Sequence, residues 1–375
     1  MRKWKVVLMT IGILLMLQTV PAATVDFDGT AGDGTSWEDP GNWSGGPTGA
    51  TGLPGSGDYV VISGDIGGET INMDAGTWQY FVDNSLLTGG SAGEYRTQSI
   101  RLGWTHTSTL NVDIGDGNIW RTTNSTLQGV GSASGSNGTW NIYSGDICIE
   151  SSSFRIAEKA GSAGLVNIAG SANTRLIIHR ETGGVSMQVG TGGAGIFQID
   201  SGKFRTRAGV TVGSNGLFRV LGSDVTEVSI GDESTLDGNW TQNAGGILEF
   251  GIDAGGVTPI VIADKGGSGT FAIFDDGSLL NLHFLDAPIA GTWTLMEVKN
   301  GFITDNGLML AAGVDPGWSF SIDNSGPNGL LTAAYVPEPA AATLLGFGSL
   351  IPIEKKKIRV PARSGRHFRP AGLPA

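Results

Sequence analysis

A glycine followed by an apolar–polar–apolar strand recurs through the middle of the chain. The instances are Gly138-Thr139-Trp140-Asn141-Ile142, Gly164-Leu165-Val166-Asn167-Ile168, Gly195-Ile196-Phe197-Gln198-Ile199, Gly216-Leu217-Phe218-Arg219-Val220 and Gly246-Ile247-Leu248-Glu249-Phe250. Ser108-Thr109-Leu110-Asn111-Val112 reads as a variant. The five starts are separated by 26, 31, 21 and 30 residues, a spacing suited to the coils of a solenoid. At period two, Trp140 with Ile142, Val166 with Ile168, Phe197 with Ile199, and Phe218 with Val220 all point to one side. One coil cannot bury that side alone, whereas stacked coils share a continuous apolar interior.

A second recurrence is an apolar-x-apolar strand ending in glycine: Ile100-Arg101-Leu102-Gly103, Met187-Gln188-Val189-Gly190, Val210-Thr211-Val212-Gly213 and Val228-Ser229-Ile230-Gly231. Glycine at such corners permits positive φ, and unequal turn lengths become loops that leave the stack intact. The chain carries 62 Gly but only 14 Pro, and 39% of it is hydrophobic, which argues for many short strands rather than a disordered low-complexity chain. The expected fold is all-β: a right-handed parallel β-helix with β-rich terminal caps. Because alternation alone does not distinguish the two, antiparallel β-sandwich repeats are the alternative. The repeat resembles the parallel β-helix of secreted passengers and polysaccharide-active proteins. Trp37-Glu38-Asp39-Pro40-Gly41-Asn42-Trp43, followed by Pro54-Gly55-Ser56-Gly57-Asp58 and an apolar strand, resembles the opening segment of secreted autotransporter-like β-solenoids.

Both termini differ from the interior. Arg2, Lys3 and Lys5, the apolar stretch 6–20 and an exit at Ala22-Ala23 have the layout of a signal peptide, cut by signal peptidase. Near the other end, Val336-Pro337-Glu338-Pro339 precedes an apolar run from Ala340 to Ile353 and a basic cluster of Lys355, Lys356, Lys357 and Arg359. In order and position these three parts resemble the PEP-CTERM sorting signal of Gram-negative bacteria. The resemblance implies an exosortase-type protease that cuts near Pro-Glu-Pro. It also implies transient anchoring in the inner membrane, then release to the outer surface or exopolysaccharide. The basic cluster would hold the far end in the cytoplasm. The run is short, is broken by Pro352, and the chain continues past Arg359, which departs from the family's pattern. The expected organisation is a signal peptide at 1–23, an N-terminal β cap at 24–97, solenoid repeats at 98–246, a C-terminal β-rich cap at 247–335 and the sorting signal at 336–375. The terminal cap is drawn from strands read at 259–262, 269–274, 279–284, 291–298 and 318–322.

Charge narrows the partners. Between Val6 and Pro337 there are 13 basic and 33 acidic residues, a surface that repels phosphate backbones, so nucleic acid is not an expected partner. Cys148 is the single cysteine and cannot form an internal disulfide. Parallel β-helix lyases and hydrolases need carboxylates clustered with Arg, Lys or His on one face. The one local pair, Asp275-Asp276, precedes Gly277 and reads as a turn. His106, His179, His283 and His367 lack metal-ligand spacing, and no catalytic constellation is readable. Asp26, Asp28 and Asp33 offer oxygens for Ca²⁺ but lack EF-hand spacing, and also read as a solvated turn. Trp37, Trp43, Trp104 and Trp120 are sugar-stacking candidates, as is Trp240, and each also suits a coil-end plug or a buried coil position. Arg205, Arg207 and Arg219 read as exposed strand positions. The expected role is an exported structural protein of the cell surface or exopolysaccharide matrix. A carbohydrate-binding or polysaccharide-degrading β-helix is the alternative. An ice-binding solenoid is a third reading, and it would require a flat Thr-x-Thr array.

Overall fold

The computed structural model describes residues 24–27, 40–45, 59–63, 79–83, 85–88, 94–97, 99–103, 107–122, 128–150, 153–179, 185–231, 238–263 and 270–337. The alternating segments form short strands that go in turn to three sheets, so each sheet receives every third strand. The first sheet includes Ser99–Leu102, Gln128–Val130, Phe154–Ile156, Val185–Val189, Gly209–Val212 and Asn239–Gln242. The second runs through Ser108–Asp113, Asn137–Ser144, Ala163–Ile168, Ala194–Ile199, Gly216–Leu221 and Ile247–Ile252. The third contains Ile119–Thr122, Asp146–Glu150, Arg175–His179, Gly202–Thr206 and Val225–Ile230. Neighbouring strands among these are parallel, as in Asn137–Ser144 on Ala163–Ile168 and Asp146–Glu150 on Arg175–His179. The chain is a parallel β-solenoid, and the antiparallel sandwich is excluded for its coils.

Register explains the repeat. Gly138, Gly164, Gly195 and Gly216 are successive Cα partners in the second sheet. Two residues on, Leu110, Trp140, Val166, Phe197, Phe218, Leu248 and Leu280 form one inward column. All seven are fully buried. Rings from the three faces meet inside: Trp120 lies 6.1 Å from Trp140, and Phe218 lies 4.9 Å from Phe197 and 5.1 Å from Trp240. Each buried large apolar side chain contributes about 1.5–3 kcal/mol, so the shared interior supplies the stability of a chain without disulfides.

At the corner after the first sheet, backbone hydrogen bonds run coil to coil. Gly131 N donates to Leu102 O, Ala157 N to Val130 O, Gly190 N to Ile156 O and Gly213 N to Val189 O, each at 2.8 Å. The same line continues through Asn243, Asp275 and Asn306. Gly103, Gly131 and Gly190 have φ of 63°, 67° and 66°, as the corner reading expects.

Three findings differ from the expected organisation. Val225–Ile230 belongs to the third sheet, whereas the other three strands ending apolar-x-apolar-Gly belong to the first. A glycine after an alternating strand marks a corner on any face, so the motif does not identify the face. The coils also extend beyond 98–246. Tyr59–Ser63 and Gln79–Asp83 pair in parallel ahead of Ser99–Leu102. Leu279–Phe284 and Met309–Leu310 continue the second sheet past Ile247–Ile252.

The cap at the C-terminal end is smaller than expected and is antiparallel. Gly291–Val298 closes the third sheet and pairs with Gly329–Tyr335, which pairs with Trp318–Asp323. Beneath that hairpin Trp318 stacks on Phe284 at 4.8 Å, with Trp293 at 5.5 Å and Tyr335 at 5.0 Å.

Candidate functional site

Inward residues are spent on the core, so any site must be assembled from outward ones. On the second sheet these form a polar ladder along Asn111, Asn141, Asn167, Gln198, Arg219, Glu249 and Asn281. Asn141 Nδ2 donates to Asn111 Oδ1 at 2.7 Å. Arg219 reaches Gln198 Oε1 at 2.7 Å and Glu249 Oε1 at 2.7 Å, and Asn281 Nδ2 donates to Glu249 Oε2 at 2.8 Å. Glu249 is buried with its oxygens committed, so this ladder binds coil to coil. Asp200, at the same strand end, is held above the ordinary carboxylate range by burial, which the Gln198 hydrogen bond and the charge of Arg219 only partly oppose.

The third sheet differs. On Gly202–Thr206 and the residue after it, Lys203, Arg205 and Arg207 alternate with the inward Phe204 and Thr206. Arg175 and Ile177 of the preceding coil are the partners of Lys203 and Arg205, and Glu227 and Ser229 follow on the next. Glu227 accepts from Arg205, and Arg175 forms a two-pronged pair with Asp146 at 2.5 and 3.1 Å. A cleft of about 370 Å³ lies here, lined by Ile177, His179, Arg205, Arg207, Glu227 and Ala263 among others. Beside it, Asp116, Asp146, Asn173, Arg175 and Lys203 line a second recess of about 420 Å³. Among the described residues the carboxylate lining the first cleft is Glu227. Further along the same face, Cys148 stands between Arg121 and Ile177, and burial pushes its thiol up, away from the reactive thiolate.

The other sequence-predicted residues fall elsewhere. Trp120 and Trp240 are in the core, at 1% and 0% exposure, so neither presents a face to a sugar. Trp43 is also buried, on the strand Trp43–Ser44 that pairs antiparallel with the first coil strand Thr24–Phe27, which matches a plug rather than a stacking platform. Trp37 and Trp104 lie outside the described residues, as do Ala22, Ala23, Glu338, Pro339, Lys355, Lys356, Lys357 and Arg359. Asp26 is in the strand Thr24–Phe27, while Asp28 and Asp33 lie outside the described residues. Among the described residues no three His, Cys, Asp or Glu side chains gather as for a metal, and no helix is long and apolar enough to cross a membrane. Asp275-Asp276 does form a turn, closed by Ser278 N donating to Asp275 O at 3.0 Å. On the outer side of the first sheet the register runs Gln188, Thr211, Thr241, Ile273, Thr304, which is not a Thr-x-Thr array. Val336, 70% exposed, is the last residue of the compact unit, with its N–H donated to Gly317 O at 3.0 Å.

Arg205 and Arg207 are not isolated exposed positions, since they share one face with Lys203. The available signal was Lys203-x-Arg205-x-Arg207, three cations at strand period on one face. No protein family, curated protein or solved structure matches the chain.

Proposed function

We propose that this chain is an exported structural protein of the cell surface or exopolysaccharide matrix, sorted by its C-terminal segment. The observation that carries the reading is the three-part order Val336-Pro337-Glu338-Pro339, apolar run, basic cluster, beginning where the coil stack ends. Cleavage near Pro-Glu-Pro would leave every coil and the closing hairpin intact. The partners in this reading are a signal peptidase, an exosortase-type protease and the matrix itself. A stack whose described inward residues pack into one core, and whose second face is a polar ladder, suits a load-bearing part.

The test is surface fractionation of the native host, with mass mapping of both mature termini. The expected product starts near Thr24 and ends near Pro337. Replacing Pro337 and Pro339 with Ala should trap the precursor in the inner-membrane fraction. Unchanged localisation and an intact C-terminus would reject the sorting assignment.

A further inference from the structure

Where the closing hairpin meets the last coils, an amine, a carboxylate and a carboxamide touch one another. Val298 and Gly329 are the end partners of the antiparallel pair, so Lys299 and Asn328 leave it side by side. Glu297 stands between their side chains. Its Oε1 accepts from Lys299 Nζ at 2.8 Å and from Asn328 Nδ2 at 2.7 Å. The carbonyl end of the carboxamide is held as well, since Asn328 Oδ1 accepts from the backbone N–H of Asn300 at 3.0 Å. Asn300 makes this contact from a left-handed backbone, φ 47°, which among the described non-glycine residues it shares only with Ala157. The lysine is fixed from behind: its N–H donates to Ile262 O at 2.9 Å and its carbonyl accepts from the Thr270 hydroxyl. All three side chains are half-buried.

We propose that Lys299 and Asn328 join in an intramolecular isopeptide bond, with Glu297 carrying the protons. The Lys299 ammonium gives a proton to Glu297, and the freed electron pair on Nζ attacks Asn328 Cγ. The carbonyl π pair moves onto Oδ1, where the Asn300 N–H stabilises the charge. Glu297 then protonates Nδ2 and takes the surplus proton from Nζ. The Cγ–Nδ2 bond breaks, and ammonia departs with that last proton as ammonium. One ammonium side chain and one carboxamide thus become one secondary amide and one ammonium ion, with the carboxylate regenerated and no oxidant or reductant consumed. Holding the groups in contact makes the step unimolecular. The bond closes residues 299–328 into a ring that contains Phe302–Asp305, Met309–Leu310 and Trp318–Asp323. It is a covalent staple for the closing end of a chain whose single cysteine cannot form an internal disulfide. A pull on the C-terminus then passes from Asn328 straight to Lys299, and the strands between them carry no load. None of this rests on the sorting reading.

The experiment is mass spectrometry of the purified full-length chain, intact and after digestion on the N-terminal side of aspartate, following prolonged incubation at physiological temperature. The intact chain should be lighter than its sequence by one ammonia. The digest should contain one branched peptide, in which residues 286–304 are joined to the segment that begins at Asp323. K299R keeps a cation beside Glu297 but removes the amine, so it should have the full mass and give two separate peptides. E297Q removes the proton carrier and should form the bond at least about a hundredfold more slowly. The parent should also melt at a higher temperature than K299R, because the ring restricts the unfolded chain. A parent of full mass with separate peptides overturns the bond, whatever the variants do. Ammonia loss that persists in K299R also overturns it, because Asn328-Gly329 can lose ammonia by closing an imide on its own backbone. Bond formation in E297Q at the parent's rate overturns the role given to Glu297.

Discussion

Ala157 occupies the corner position that glycine occupies at Gly103, Gly131 and Gly190, and it adopts the same left-handed backbone, with φ of 55°. A side chain there costs roughly 1–2 kcal/mol of strain. Glycine would relieve that strain, but it gains freedom in the unfolded chain worth about 0.4–1 kcal/mol. Ala157→Gly should therefore change stability by less than about 2 kcal/mol. Gly131 is different because its neighbours are closer. A Cβ added there would come within 2.2 Å of the Ala163 carbonyl oxygen, a backbone atom of the next coil. Gly131→Ala should cost about 2 kcal/mol or more, combining strain with a clash that only coil separation relieves. Urea unfolding of the two variants checks the pair. Equal effects would mean that the corner is soft and its ladder does not constrain the stack.

Elements in this fold are stabilised by the coil on either side, so the end elements have a separate problem. The last parallel strands would present unpaired edges and an open core, which favours edge-to-edge association. The hairpin of Trp318–Asp323 and Gly329–Tyr335 addresses this, with Trp318, 4% exposed, set against Phe284, Trp293 and Tyr335. Trp318→Ala should destabilise by about 3–5 kcal/mol and bring concentration-dependent association. Thermal melting and light scattering read the two effects, and a destabilised but strictly monomeric variant would argue against a protective cap.

The same elements show how far the sequence could be read. The second sheet was legible because its strands start at glycine and alternate cleanly, as at Gly195-Ile196-Phe197-Gln198-Ile199. The first and third sheets were harder to separate, since Val228-Ser229-Ile230-Gly231 obeys the same local rule as Val210-Thr211-Val212-Gly213 on a different face. The continuation past residue 246 was missed because Ser278-Leu279-Leu280 replaces the leading glycine while keeping the inward Leu280 in register with Leu248. The cleft was not legible at all. Ile177, Glu227 and Ala263 reach Arg205 only through coil register, and uneven turn lengths hide that register from local patterns.

At the scale of the whole molecule, stability should be distributed rather than all-or-none, because each coil touches mainly its neighbours. Phe218 is fully buried between Phe197 and Leu248. Phe218→Ala should cost about 3–5 kcal/mol locally. Hydrogen exchange should then show the largest loss of protection in Ala194–Ile199 and Ile247–Ile252, fading toward Ser108–Asp113. A uniform loss along the chain would show that the coils unfold as one unit.

The corner ladder from Leu102 to Asn306 also has a mechanical meaning. Its bonds lie along the stack, and the ladders of the three sheets run beside it. A pull spread over the flanks along that axis must break every bond between two coils together, while a pull on one chain end peels strands away singly. The molecule therefore resists tension when gripped by its sides and yields when drawn by its tail, so a fibre attached along a face is held far more firmly than one attached at a terminus.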